Sequence, residues 1–275
     1  MRIDVDGTGL EVLDTGSGPA VLLIHGFPDT HRLWRHQTKA LTDAGYRVIA
    51  PDLRGFGASD KPAEVGAYGA ARHVGDMLGV LDRLGVERAH VVGHDWGALI
   101  AWSLAMAAPG RVAGLTALSV GHPASMADAG FEQRQKSWYM LLFQFRGIAE
   151  GWLSRDDFRN LRDWARHPEA EEVAGRLRDP GALTASLGIY RAAATPEILF
   201  GPPREFPPVT MPVMGVWSSG DLFLTEKAMR DSGKHVKGPW RYERVEDAGH
   251  WMQLEAPERV SQLLLDFLGE VRAEA

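Results

Sequence analysis

The chain alternates between continuous apolar runs and amphipathic segments, and the alternation itself predicts an architecture. At the start, "RIDV" and "LEVLD" alternate apolar and polar positions around a Gly-containing turn at Asp6 to Gly9, which predicts a hairpin. The next run, "AVLLIHGFPD", is apolar without a break until its closing turn, the pattern of a strand covered on both faces. Leu33, Trp34 and Leu41 have helical spacing over His31 to Ala44, and "YRVIAPD" predicts another buried strand. Gly55, Gly57 and Pro62 mark a loop, with a helix expected over Ala71 to Leu84. "AHVVGHD", a helix from Gly97 and the strand-like "VAGLTALSV" continue the series. Strand, helix and strand in such repetition predict parallel pairing with right-handed crossovers in a sheet covered by helices.

The rhythm changes from Gly121 to Pro208. This stretch has helical spacing, no clear strand and many aromatic residues (Phe131, Trp138, Tyr139, Phe143, Trp152, Trp164), and it closes in the proline cluster "GPPREFPP". The strand rhythm then resumes with "VMGVWSSGD", a helix to about Val236, the strand "WRYERVED" and a last helix from Pro257. The expected division is a core of residues 1–120 and 209–275 with a helical insertion at 121–208. Placed between two strands of one sheet, the insertion reads as a cap over the strand ends, where open α/β sheets bind ligands. A structural bundle packed elsewhere on the core is the alternative.

Composition narrows the setting. The 275 residues are 45% hydrophobic and 24% charged, the balance of an ordinary globular protein. A net charge of −6 offers no basic footprint for nucleic acid or anionic lipid. No apolar run approaches the ~20 residues that cross a bilayer, and the first residues lack a signal-peptide core, so a cytoplasmic protein is expected. With no cysteine, thiolate chemistry is excluded. No metal cluster or phosphate-binding glycine loop is evident, so no cofactor is expected.

The candidate chemistry centres on "VVGHDWGALI". Its outline is the G-x-S-x-G turn that presents a nucleophilic serine between a strand and a helix, but Asp95 occupies the serine position. Alone, such an Asp would be a plain helix N-cap. Flanking glycines and further motifs at other strand ends favour a nucleophile. An ordinary aspartate, with a pKa near ~3.9, is ionised at neutral pH without a base to activate it. Attack on an ester carbonyl would give a labile anhydride, whereas attack on a saturated carbon gives a stable alkyl ester. Asp95 therefore points to displacement through a covalent intermediate.

Taken together, "HGFP", "GHDWG", a late Asp and "GHW" resemble the epoxide hydrolase branch of the α/β-hydrolase fold family, over nearly the whole chain. That resemblance implies a mostly parallel eight-stranded sheet with helices on both faces and an inserted all-helical cap. It implies Asp95 as nucleophile and His250 as the base that activates water. The third member is Asp221 or its rival Asp247, only three residues before His250; the family's chain order fits Asp221. The backbone N–H groups of Phe27 and Trp96 would form the oxyanion hole, with Pro28 stiffening its loop in a cis turn. His25 and His94 would have supporting roles. His31, His36, His73, His90, His167 and His235 read as surface residues, while His122 in "SVGHP" remains a candidate at the cap entrance. Trp138, Phe143 and Trp251 are further expected substrate contacts.

The leaving group separates the two leading activities. A halide needs only N–H donors, but an epoxide oxygen needs a proton, which a tyrosine can supply. Tyr139, in "Y-x-x-x-F-Q-x-x-G-x-A-E", and Tyr190, in "YR", resemble the paired ring-opening tyrosines of epoxide hydrolases. Otherwise each is an amphipathic packing residue. Haloalkane dehalogenases share the Asp-His-Asp machinery, and Trp96 would suit halide, but the loop donor such enzymes often carry as Asn is here Phe27. An esterase would need serine at position 95, and a non-catalytic binding protein would not need the set complete. The expectation is a hydrolase of an apolar or aromatic epoxide, acting as a monomer or homodimer.

Overall fold

The computed structural model describes residues 1–202 and 204–273. Eight strands, β1 (Arg2–Val5), β2 (Thr8–Gly16), β3 (Ala20–Ile24), β4 (Arg47–Pro51), β5 (Ala89–His94), β6 (Val112–Leu118), β7 (Val213–Ser218) and β8 (Trp240–Val245), form one sheet in the order β1-β2-β4-β3-β5-β6-β7-β8. β1 and β2 run antiparallel to their neighbours, and the six from β3 onward are parallel. The first hairpin is tighter than expected: Asp6 and Gly7 alone make the turn, both with positive φ, and Thr8 and Gly9 already belong to β2. An Asp-Gly pair of this kind matches the twist of the strands it joins.

Sequence position accounts for the layers. β5 and β7 are buried along their whole length, as their unbroken apolar runs require. The helix Trp96–Ala107, apolar on nearly every side, packs on β5 and β6 in the middle of the molecule. Its Trp102 is fully buried and donates its indole N–H to the Val120 carbonyl at 3.1 Å. Two expected helices are each divided: a 3-10 turn at His31–Trp34 precedes the helix Arg35–Asp43, and the helix Glu226–Asp231 passes into a 3-10 turn at Ser232–His235.

Three histidines expected at the surface lie inside. His73 is on the inward face of the helix Ala70–Arg83, beside Met77 and Val80. His90 is in β5, where both faces are covered, and its Nε2 meets Thr116 Oγ1 at 3.0 Å. Burial holds the pKa of each down to about 3, so both imidazoles are neutral, which is what makes their burial tolerable. His167 is the third.

Between β6 and β7 the described elements are all helical, from Pro123–Ala127 to Pro196–Phe200. These helices reach the carboxyl ends of the parallel strands, where Tyr139, Trp164, Ala165 and Tyr190 share one cavity with Asp95 and His250. No helix among the described residues is long and apolar enough to cross a membrane.

Candidate active site

β5 ends at His94, and the helix that follows begins at Trp96, so Asp95 must reverse the chain in a single residue. It does so with φ 53° and ψ −124°, a conformation rarely taken by a residue with a side chain. The flanking glycines make the turn possible. A Cβ at Gly97 would run into the Ile24 carbonyl, and one at Gly93 would meet the backbone of Gly97. Gly26 serves the opposing loop in the same way, since a side chain there would overlap the Asp95 carboxylate. The loop can therefore come close enough for the Phe27 N–H to donate to Asp95 Oδ1 at 2.8 Å. The Phe27–Pro28 peptide is cis. Asp95 stands at the N-cap position of the helix Trp96–Ala107, but its side chain makes no capping hydrogen bond to it.

His250 lies in the loop after β8, and Asp221 in the loop after β7. The imidazole stands between two carboxylates, with Nδ1 3.0 Å from Asp221 Oδ2 and Nε2 3.6 Å from Asp95 Oδ2. Asp221 is itself fixed, its Oδ1 accepting the N–H groups of Phe223 (2.8 Å) and Leu224 (3.0 Å). The rival Asp247 is exposed at a turn, where its N–H donates to Ser219 Oγ at 3.0 Å. His94 is fully buried and donates from Nε2 to the His250 carbonyl at 2.9 Å; Ser218 Oγ donates to the neighbouring Gly249 carbonyl at 2.6 Å. These bonds hold the histidine loop from below.

The electrostatics follow from that placement. Burial works against a charged His250, but the Asp221 carboxylate and then Asp95 outweigh it, and the pKa rises to about 10. Burial would also raise Asp221, yet the facing imidazole and two backbone donors bring it below the ordinary carboxylate value. Burial, then the charges of Asp95 and Asp221, push the Tyr139 phenol well above its ordinary value. Burial, Asp95 and Tyr139 do the same to Tyr190. Both phenols are thus firmly protonated. His94 is held down to about 4 by burial and by the neighbouring His250, and is neutral.

The cavity around Asp95 is lined by Phe27, Pro28, Tyr139, Trp164, Tyr190 and Trp251, with Ala165, Phe223 and His250 completing it. Of the residues expected at the site, the structure brings together Asp95, His250, Asp221, Tyr139, Tyr190, Phe27, Trp96, Pro28 and Trp251. Phe143 stands one layer behind, fully buried, with its ring 4.9 Å from Tyr190 and 5.4 Å from Tyr139. Trp138 and His122 fall elsewhere. Trp138 is 47% exposed and packs on Trp152, because on its short helix Tyr139 takes the inward face. His122 is buried away from the cavity, stacked on His235 at 4.6 Å, and accepts the Ala124 N–H at the start of the helix Pro123–Ala127.

Sequence reasoning missed Trp164, Ala165 and Phe223 in the lining, and it missed the link between Asp29 and His167. Asp29, directly after Pro28, accepts His167 Nε2 at 3.1 Å and the Trp251 indole N–H at 2.9 Å, both from buried positions. One carboxylate thereby joins the Phe27–Pro28 loop, the His250 loop and the helical insertion. The adjacency of Asp29 to "HGFP" and of Trp251 to His250 was the available signal. Among the described residues no group of three or more His, Cys, Asp or Glu is placed to hold a metal ion.

Comparison with known proteins agrees with this geometry. A family model described as the alpha/beta hydrolase fold matches residues 19–257. The chain is 34% identical to the AB hydrolase superfamily protein YfhM of Bacillus subtilis, over 97% of this chain and 96% of the relative. It is 33% identical to Epoxide hydrolase A of Mycobacterium tuberculosis, again over 97% and 96%. Among solved structures, that of a Bacillus megaterium epoxide hydrolase in complex with an inhibitor superposes with a TM-score of 0.88 at 28% identity, covering 98% of this chain and all of the other. The chain belongs to the α/β-hydrolase fold family, in its epoxide hydrolase branch.

Proposed function

We propose that this protein hydrolyses an apolar epoxide to a vicinal diol, in two steps through an ester on Asp95. The observation that carries the reading is the placement of two buried phenols, Tyr139 and Tyr190, in the same small cavity as the Asp95 carboxylate. A halide leaving group has no use for such phenols; an epoxide oxygen needs their protons.

In the first step an Asp95 oxygen attacks one ring carbon, and the carbon–oxygen bond of the epoxide breaks. The departing oxygen takes hydrogen bonds from Tyr139 and Tyr190 and a proton from one of them. The phenolate left behind is reprotonated at the expense of the His250 imidazolium. In the second step a water molecule gives a proton to the now neutral His250 and attacks the ester carbonyl carbon of Asp95. The N–H groups of Phe27 and Trp96 hold the resulting oxyanion. Collapse returns the carboxylate and expels the diol, whose oxygen recovers a proton. Asp221 keeps His250 oriented throughout. In this reading residues 121–208 act as the cap that supplies the phenols, and residues 1–120 and 209–275 form the core that supplies the triad.

Alkylation also changes the electrostatics. The ester is neutral, so the Asp95 contribution that raises His250 and both tyrosines is lost. His250 then gives up its proton more readily, so its neutral form is available when a base is required, and the phenols become better acids as the alkoxide forms.

The test is a single turnover with excess enzyme in isotopically labelled water. Label is expected in the Asp95 carboxylate and not in the diol; label entering the diol directly would rule out the ester route. The His250→Gln variant should accumulate the ester, seen as intact protein heavier by one epoxide.

A further inference from the structure

The cavity over Asp95 has a volume of about 10 Å³, room for a single water molecule. No epoxide fits unless a lining side chain moves. Nine of the ten lining residues are buried, and Trp164 is the half-buried one. Trp164 is therefore the lining residue most open to solvent.

The other walls are fixed. Asp95 and His250 are held by the contacts already described, and Trp251 is tied through its indole N–H to Asp29. Phe223 belongs to the turn bonded to Asp221. Tyr139 and Tyr190 pack against Phe143 and against one another. Trp164 differs from these in being half-buried, and its indole makes no hydrogen bond to any described residue. Its ring packs against Tyr139 at 4.8 Å, Phe223 at 5.2 Å, Phe143 at 5.4 Å and Phe27 at 6.5 Å.

The backbone around Trp164 is unusual as well. Within the helix Arg155–Ala165, Asp156, Asp157 and Phe158 all have positive φ (48°, 55° and 64°), and Arg166 directly after it is left-handed at 53°. Such conformations are costly for a bulky residue such as Phe158. The turns that carry Trp164 are thus set off on both sides by strained residues. Just beyond them, His167 is pinned to the core by Asp29. That anchor holds the chain three residues beyond Trp164.

We propose that Trp164 is the residue that closes the reaction chamber and sets its size, so that compact epoxides with one small substituent are admitted ahead of bulky aryl ones. The inference rests on the epoxide reading above and deepens it. Its energetic logic is ordinary: a compact substrate needs only a partial rotation of the indole, while a bulky one must hold it fully out of its ring contacts.

The test compares wild type with Trp164→Ala and Trp164→Phe on propylene oxide, styrene oxide and naphthyl glycidyl ether. In wild type kcat/KM should fall with size. The Ala variant should raise the ratio of kcat/KM for naphthyl glycidyl ether to that for propylene oxide by about tenfold or more, with Phe between. Equal losses on all three substrates would overturn the proposal, because a purely structural tryptophan would behave that way. Calorimetric binding of the diol of naphthyl glycidyl ether gives a readout free of chemistry, and it should tighten about tenfold in the Ala variant. Equal binding by the two proteins overturns the proposal whatever the kinetics show. Tighter binding with no epoxide opened by either protein leaves the gate standing and refutes the epoxide reading instead. If thermal unfolding shows that the Ala variant does not fold, the Phe variant decides by the same two measurements.

Discussion

His250 Nε2 lies 3.6 Å from Asp95 Oδ2, so the groups proposed as base and nucleophile face each other before any substrate arrives. With Asp221 on its other side, His250 is raised to about 10 in the resting protein and carries its proton at neutral pH. It cannot act as a base in that state. Neutralising Asp95 by alkylation removes one of the two charges that sustain the imidazolium, and the pKa must fall.

The two half-reactions should therefore depend differently on pH. Ring opening, followed by stopped-flow tryptophan fluorescence, should be level from neutral pH towards about 10, because the resting charge state does not change there. Ester hydrolysis should instead rise with pH through an inflection well below 10. An inflection for hydrolysis as high as the resting value would show that the Asp95 charge does not control His250.

The tyrosine pair gives a second prediction. Each phenol is buried beside the Asp95 charge, and the rings are 6.1 Å apart, close enough to share one oxygen. Replacing either by Phe leaves one donor, so Tyr139→Phe and Tyr190→Phe should each slow ring opening by about tenfold or more. The double variant should lose at least about a thousandfold, within the range of general acid catalysis. Ester hydrolysis needs no proton from these phenols and should be far less affected. Retained epoxide opening in the double variant, measured as diol formed, would remove the phenols from the mechanism.

Some of this was readable along the chain, and the reason is local geometry. A one-residue reversal between strand and helix demands glycines at fixed spacing, so the surroundings of Asp95 leave a mark in sequence. Asp221 and His250 are marked in a similar way, each in a loop directly after a strand, the buried β7 and the half-buried edge strand β8. Contacts between distant segments leave no such mark. Trp164 and Phe223 meet only because the insertion folds onto the strand ends, and nothing near either residue announces it. Trp138 and Tyr139 are adjacent on a five-residue helix, too short for periodicity to choose the inward face. His73 and His90 mislead because a polar side chain reads as exposed, while a neutral imidazole is readily buried.

A motif that sequence offered without a reason acquires one. In "Y-x-x-x-F-Q-x-x-G-x-A-E" the Gln144 side chain donates to the carbonyls of Tyr190 and Ala194, each at 3.1 Å. Glu150 pairs with both terminal nitrogens of Arg191 at 2.9 Å, and Arg191 Nε donates to the Phe143 carbonyl at 2.9 Å. The residues around Tyr139 thus clamp the residues around Tyr190. Arg191→Met should cost about 2 kcal/mol of stability by leaving Glu150 without its partner. It should also slow ring opening more than ester hydrolysis, because it displaces one phenol and leaves the triad in place. Equal slowing of both steps would assign the clamp to stability alone.

The Asp29 link predicts a change in acid stability. Burial would raise its pKa from the ordinary 3.8, but His167 foremost, with His94 and Arg176 behind it, brings it down to about 2. A carboxylate depressed on folding contributes stability that is complete above its unfolded pKa and is lost as pH falls through the folded one. The relevant window is pH 4 to 2, and the contribution above it is about 2 kcal/mol. Asp29→Asn should be less stable than wild type at neutral pH, with the gap narrowing as pH falls through that window. Chemical denaturation at a series of pH values measures it, and a gap independent of pH would show that Asp29 holds His167 and Trp251 without its charge.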